Sequence, residues 1–117
     1  MNNDQQEYRL DKVSIKDVTT EIDRIWQQLQ QPDSGFADEA ISEGVDPASL
    51  KQLKGYSRAD VLVLENGGGL GVEAVALIVA FAPVAAKITK DLWDNFILPR
   101  LKERFGENGI ERDENDK

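Results

Sequence analysis

Residues 74–86 read AVALIVAFAPVAA, and what this stretch becomes decides the fold. The run carries neither a charge nor a polar side chain. Full burial of Val75, Leu77, Ile78, Val79, Phe81 and Val84, at roughly 1.5 to 3 kcal/mol each, contributes on the order of 10 kcal/mol, comparable with the whole net stability of a small domain. Such a surface cannot stay in water. The run reads as a helix from about Val72, bent at Pro83, where the ring deletes a backbone donor and crowds the preceding turn. Its alanines (Ala74, Ala76, Ala80, Ala82, Ala85 and Ala86) permit close approach of neighbouring helices.

Downstream, Ile88, Leu92 and Phe96 make one row at spacing four, and Trp93, Ile97, Leu101 and Phe105 a second row beside it. Lys87, Lys90, Asp91, Asp94, Asn95 and Lys102 occupy the other side. Pro99 marks a bend or a restart, and Gly106 is placed to terminate the helix. Apolar anchors in a patch form the usual centre of a protein contact. Phe81, Trp93, Phe96, Ile97, Leu101 and Phe105 are therefore the candidate interaction residues, forming the core and part of an oligomer or partner contact.

Upstream, Val61-Leu62-Val63-Leu64 is a β-prone run expected to form a buried strand, pairing with a short strand over Tyr8 to Val13. Two strands are marginal alone and need a covering layer. Ser14 with Asp17 signals a helix start. Ile15, Val18, Ile22, Ile25, Trp26 and Leu29 then fall on one arc at 3.6 residues per turn, and Pro32 ends the element. Between Asp33 and Gly55 two short helices are expected. The first has Phe36, Ala37, Ala40 and Ile41 as its apolar face and stops at Gly44; the second starts with Asp46 as cap and Pro47 at the first position, with Gly55 just past its end.

Function classes narrow by what the chain lacks. With neither cysteine nor histidine, disulfides, thiolate nucleophiles, the commonest general base and most zinc chemistry are excluded. Fourteen basic against 22 acidic residues give a formal charge of −8, which repels nucleic acid unless positive charge is gathered on one face. In the helix pair, Lys51 and Lys54 are too few against Asp38, Glu39, Glu43 and Asp46 for a DNA-reading version.

The glycine loop Asn66–Gly71 follows a strand and precedes the expected helix, the order of a phosphate-binding turn. A dinucleotide fingerprint starting at Gly67 needs glycine where Val72 stands, and no Lys-Ser/Thr pair follows. Glu65 and Glu73 add the wrong charge, so a close-packing connection is expected instead. Glu73, Asp38/Glu39, Asp91/Asp94 and the tail acids Glu111, Asp113, Glu114 and Asp116 read as solvated groups or as a favourable first-turn charge. No catalytic residue, cofactor site or metal site is assigned.

The expected fold is mostly α with a minor two-stranded β element, a small helical domain around a central, proline-kinked C-terminal helix. Residues 1–7 and 107–117 read as disordered ends and 8–106 as a single domain. In size, acidity and want of catalytic side chains the chain resembles small bacterial accessory proteins such as immunity proteins, antitoxins and adaptors. The expected function is that of a non-enzymatic, cytoplasmic interaction protein that self-associates or binds a protein partner through its apolar C-terminal helices. The alternative is a membrane-inserting protein using residues 70–88, whose acidic upstream and basic downstream flanks have the asymmetry of an inserted helix. Thirteen helical residues, however, span about 20 Å of the roughly 30 Å hydrocarbon layer.

Overall fold

In the computed structural model, which describes residues 5–31, 33–69 and 74–112, the decisive run forms a strand where a helix was expected. Ala74–Phe81 is β3, an inner strand of a four-stranded antiparallel sheet in the order β2-β3-β1-β4. The others are β1 (Gln5–Asp11), β2 (Leu62–Gly69) and β4 (Ile110–Arg112). The sheet replaces the minor two-stranded element expected from sequence, and the fold is α+β with one helical layer on one sheet face.

The division of β3 between two faces explains the difference. Val75, Leu77, Val79 and Phe81 are large and face the helices, whereas Ala74, Ala76, Ile78 and Ala80 lie on the opposite face. With no polar residue on either face, the run lacks the alternation that marks a half-buried strand and looks like a buried helix segment. Pro83 opens a short 3₁₀ turn (Pro83–Ala85) after the strand rather than bending a helix. Among the described residues no helix is long and apolar enough to cross a membrane. The membrane-spanning reading of 70–88 therefore loses its helix.

Register fixes the rest of the sheet. Tyr8 lies opposite Leu77 on β3 and opposite Arg112 on β4. β2 pairs with β3, Leu62 opposite Phe81, so the expected pairing of Val61–Leu64 with Tyr8–Val13 does not occur: β3 lies between them. Residues 5–7 and 110–112, assigned to loose ends by their polarity, belong to strands. Gln6 and Ile110 are buried because they fall on the core-facing side. The glycines after Asn66 are the bulged end of β2. A Cβ at Gly67 would meet Ala76 Cβ at 3.0 Å and Ile78 Cδ1 at 3.1 Å, so any larger residue would have to push these β3 side chains aside for the two strands to close at that point.

The helical layer begins with α1 (Ile15–Gln30), capped by Ser14, whose Oγ accepts from the Asp17 N–H at 3.0 Å. Val18, Ile22, Ile25 and Trp26 of its apolar arc are buried. α2 (Phe36–Ser42) and α3 (Pro47–Leu53) follow as expected, with Asp46 accepting from the Ala48 N–H at 3.0 Å and Pro47 in the first turn. A single turn, α4 (Arg58–Val61), leads into β2. Arg58 pairs with Asp23 on α1 at 2.7 Å and donates to the Leu62 carbonyl at 2.9 Å, which covers part of the sheet's open edge.

After the 3₁₀ turn come α5 (Ala86–Leu92) and α6 (Leu98–Phe105), joined by a wide π turn at Trp93–Ile97 in which the Leu98 N–H reaches the Trp93 carbonyl. Pro99 has no N–H to give, and its ring would crowd the Asn95 carbonyl in a regular helix. Widening the turn before it removes the clash. The shortest dimension of the molecule, 21 Å, is that of a sheet and a single helical layer. Glu73, Pro32, the expected helix start at Val72 and the acids beyond residue 112 lie outside the described residues.

Candidate binding cleft in the helical layer

Five of the six residues singled out by sequence, Phe81, Trp93, Phe96, Ile97 and Leu101, are buried within this chain's own core, and Phe105 is partly buried at its margin. They face β1, α1 and α2 rather than solvent. Trp93 meets Tyr8 edge-on, with centroids 5.7 Å apart, and Phe96 meets Phe36 in the same way at 5.8 Å. Within this chain the two rows pack against the sheet and the neighbouring helices.

The Trp93 contact is also polar. Its indole N–H donates to the Tyr8 hydroxyl at 2.7 Å, and that hydroxyl in turn donates to Gln6 Oε1. The chain satisfies three buried polar side chains at once, which ties β1 to the π turn. Burial raises the Tyr8 pKa above the usual tyrosine range, against the opposing hydrogen bond from Trp93. Burial likewise raises Asp94, with Arg112 and Lys90 opposing. Neither group lines the cleft described next.

Arg100 fastens α6 to α2. Its guanidinium lies 4.1 Å above the Phe96 ring and 5.5 Å from that of Phe36. It pairs with Glu39 and lies 3.9 Å from Glu43. Glu21 binds Arg24 at 2.6 Å and Arg104 at 3.6 Å nearby. Acids and arginines balance across this surface, which makes it a fastening of the layer and not an ion-binding site.

An apolar concavity lies on the other flank, where the end of α1 meets α2 and α3. Trp26, Leu53 and Leu92 form its apolar floor. Leu29, Ala37, Ile41, Pro47 and Leu50 form its walls, and Gln30, Gln31, Lys51 and Lys54 its rim. The volume is ≈ 230 Å³. Two hydrogen bonds hold the floor: Trp26 Nε1 donates to the Tyr56 carbonyl at 3.1 Å and Gln30 Nε2 to the Leu53 carbonyl at 3.4 Å. Ile41, on the wall, keeps 40% of its surface exposed, more than most large apolar side chains of the fold. A shallower recess continues past Trp26, Gln30 and Lys54 to Tyr56 and Arg58.

The sequence groups Phe36, Ala37, Ala40 and Ile41 as one apolar face of α2, and the structure divides it. Phe36 and Ala40 do pack inward, whereas Ala37 and Ile41, each adjacent in sequence to one of these, line the cleft. Apolar residues spread around more of a short helix than one contact can use were the available signal. Lys51 and Lys54 had been weighed only as a nucleic-acid surface. No family model, curated protein or solved structure matches the chain.

Proposed function

We propose that this protein is a non-enzymatic interaction module that receives apolar side chains of a partner protein in the cleft between α1, α2 and α3. The observation that carries the reading is an aliphatic and aromatic hollow, with Ile41 held partly in water, on a domain whose core is already complete without it. Its ≈ 230 Å³ is continuous with a wider recess of ≈ 720 Å³, which makes it part of an open groove rather than a pocket closed around a small molecule. The hollow itself suits one or two anchoring side chains laid into a groove between helices. Trp26, fixed by its bond to Tyr56, supplies the rigid aromatic floor typical of such anchor sites. The lining of apolar, amide and ammonium groups favours burial of a side chain over proton transfer. Action in the cytoplasm suits a chain without cysteine.

The test is selection of a phage-displayed library of random 16-residue peptides on the immobilised wild-type protein, followed by titration of the enriched peptides against Ile41→Asp. Because Ile41 is partly exposed, the substitution is expected to leave stability within about 0.5 kcal/mol while weakening the peptides at least tenfold. Enriched peptides indifferent to residue 41, or no enrichment, would reject the cleft as the binding surface.

A further inference from the structure

We infer that the cleft's occupant is an acidic amphipathic segment of a different protein, its apolar side chains filling the hollow and its carboxylates meeting Lys51 and Lys54. This rests on the reading of the cleft as a protein-binding surface. The chain carries a net charge of −8, yet the described residues lining this hollow include two lysines and no carboxylate. Neither lysine forms an ion pair among the described residues. Two acids near it are engaged elsewhere: Asp46 caps α3 through the Ala48 N–H, and Asp23 holds Arg58.

Lys51 lies in the last turn of α3 and Lys54, three residues on with right-handed helical backbone, caps its C-terminus, so the two project from one side of the helix end. An incoming helix with two acids three or four residues apart matches them while presenting its apolar stripe to Trp26 and Ile41. Fields are screened within about 8 Å at physiological salt, so a short segment seated in the cleft interacts with the rim lysines more than with distant acids. A second copy of this chain would bring its whole acidic surface along, which disfavours self-association as the way the cleft is covered.

The experiment uses the peptides enriched on the wild-type protein. Acidic residues flanking paired apolar ones are expected in them, together with about tenfold weaker binding to the double variant Lys51→Glu/Lys54→Glu and a comparable loss when salt is raised. Peptides that depend on Ile41 but are neutral or basic, or that bind the double variant unchanged, overturn the charge assignment and leave the cleft reading intact. Peptides that ignore Ile41 overturn both. Sedimentation of the protein alone gives an independent check. A dimer dissociated by Ile41→Asp would make a second copy the occupant and refute the inference, whereas a monomer agrees with it.

Discussion

Adjacent residues of β3 should respond in opposite ways to the same substitution. Val79 is fully buried on the helix-facing side, and its cross-strand neighbours are Gln6 and Leu64. A lysine there loses roughly 1.5–3 kcal/mol of apolar transfer and buries an unpaired ammonium at a cost of several kcal/mol more. Together these approach the 5–15 kcal/mol by which small domains are stable, so Val79→Lys is expected to be largely unfolded. Ile78 is half-buried on the outer face, directly between Glu7 on β1 and Glu65 on β2. Ile78→Lys forfeits about 1 kcal/mol of burial. It gains two opposite-charge cross-strand pairs at roughly 0.2–1 kcal/mol each, for a net change within about 1 kcal/mol. Urea unfolding followed by the fluorescence of Trp26 and Trp93 measures both. Equal losses in the two variants, or a larger loss at 78, would refute the strand, because helical spacing groups Leu77, Ile78 and Phe81 on one face and turns Val79 away.

Other perturbations test the polar chain and the sheet's closing turn. Tyr8→Phe strands the Trp93 N–H and the Gln6 carbonyl oxygen in the core and should cost about 1–3 kcal/mol by urea unfolding. The folded protein binds the Tyr8 proton more tightly than the unfolded chain does. That increment of stability is therefore complete at neutral pH and is lost as pH rises through and beyond the usual tyrosine range. Stability profiles from neutral to strongly alkaline pH should fall less steeply for Tyr8→Phe than for the wild type. At Gly109 a Cβ would stand 2.5 Å from the Phe105 carbonyl oxygen and 3.2 Å from Val13 Cγ2. Gly109→Ala should cost about 1–3 kcal/mol and displace the Gly109 carbonyl from the Asp11 N–H that it accepts at 3.0 Å. Hydrogen exchange should quicken at Asp11 and in Ile110–Arg112, with the β2–β3 ladder unchanged.

Local signals in this chain were legible where a single neighbour decides the outcome. Ser14, Asp46 and Pro47 act within one turn of themselves, and the arc from Ile15 to Trp26 requires only something apolar opposite it. The element at Pro99 was readable as an interruption because the missing N–H is a property of the residue itself. What could not be read is what long-range pairing determines. Ala74–Phe81 is a strand because β1 and β2 flank it, and the partial alternation of alanine with larger side chains, broken at Ile78, is too weak a clue to set against the unbroken apolar run. Gln6 and Ile110 looked like parts of solvated ends until register placed them on the covered face. The cleft depends on how three helices meet, and nothing local to Ile41 distinguishes a wall exposed to water from a packed interior.

The position of β1 between β3 and β4 also constrains when this protein can become itself. As the chain leaves the ribosome its earliest strand has nothing to pair with: Tyr8 must await Leu77, and the seal over Leu10 arrives only with Ile110. Such distant pairing slows folding and leaves an unpaired apolar edge exposed for most of synthesis. Deleting Ile110–Arg112 would uncover the β1 edge that this strand seals, so a chain without those three residues should linger as a partly zipped sheet, prone to chaperone capture and proteolysis, even with its entire helical layer present.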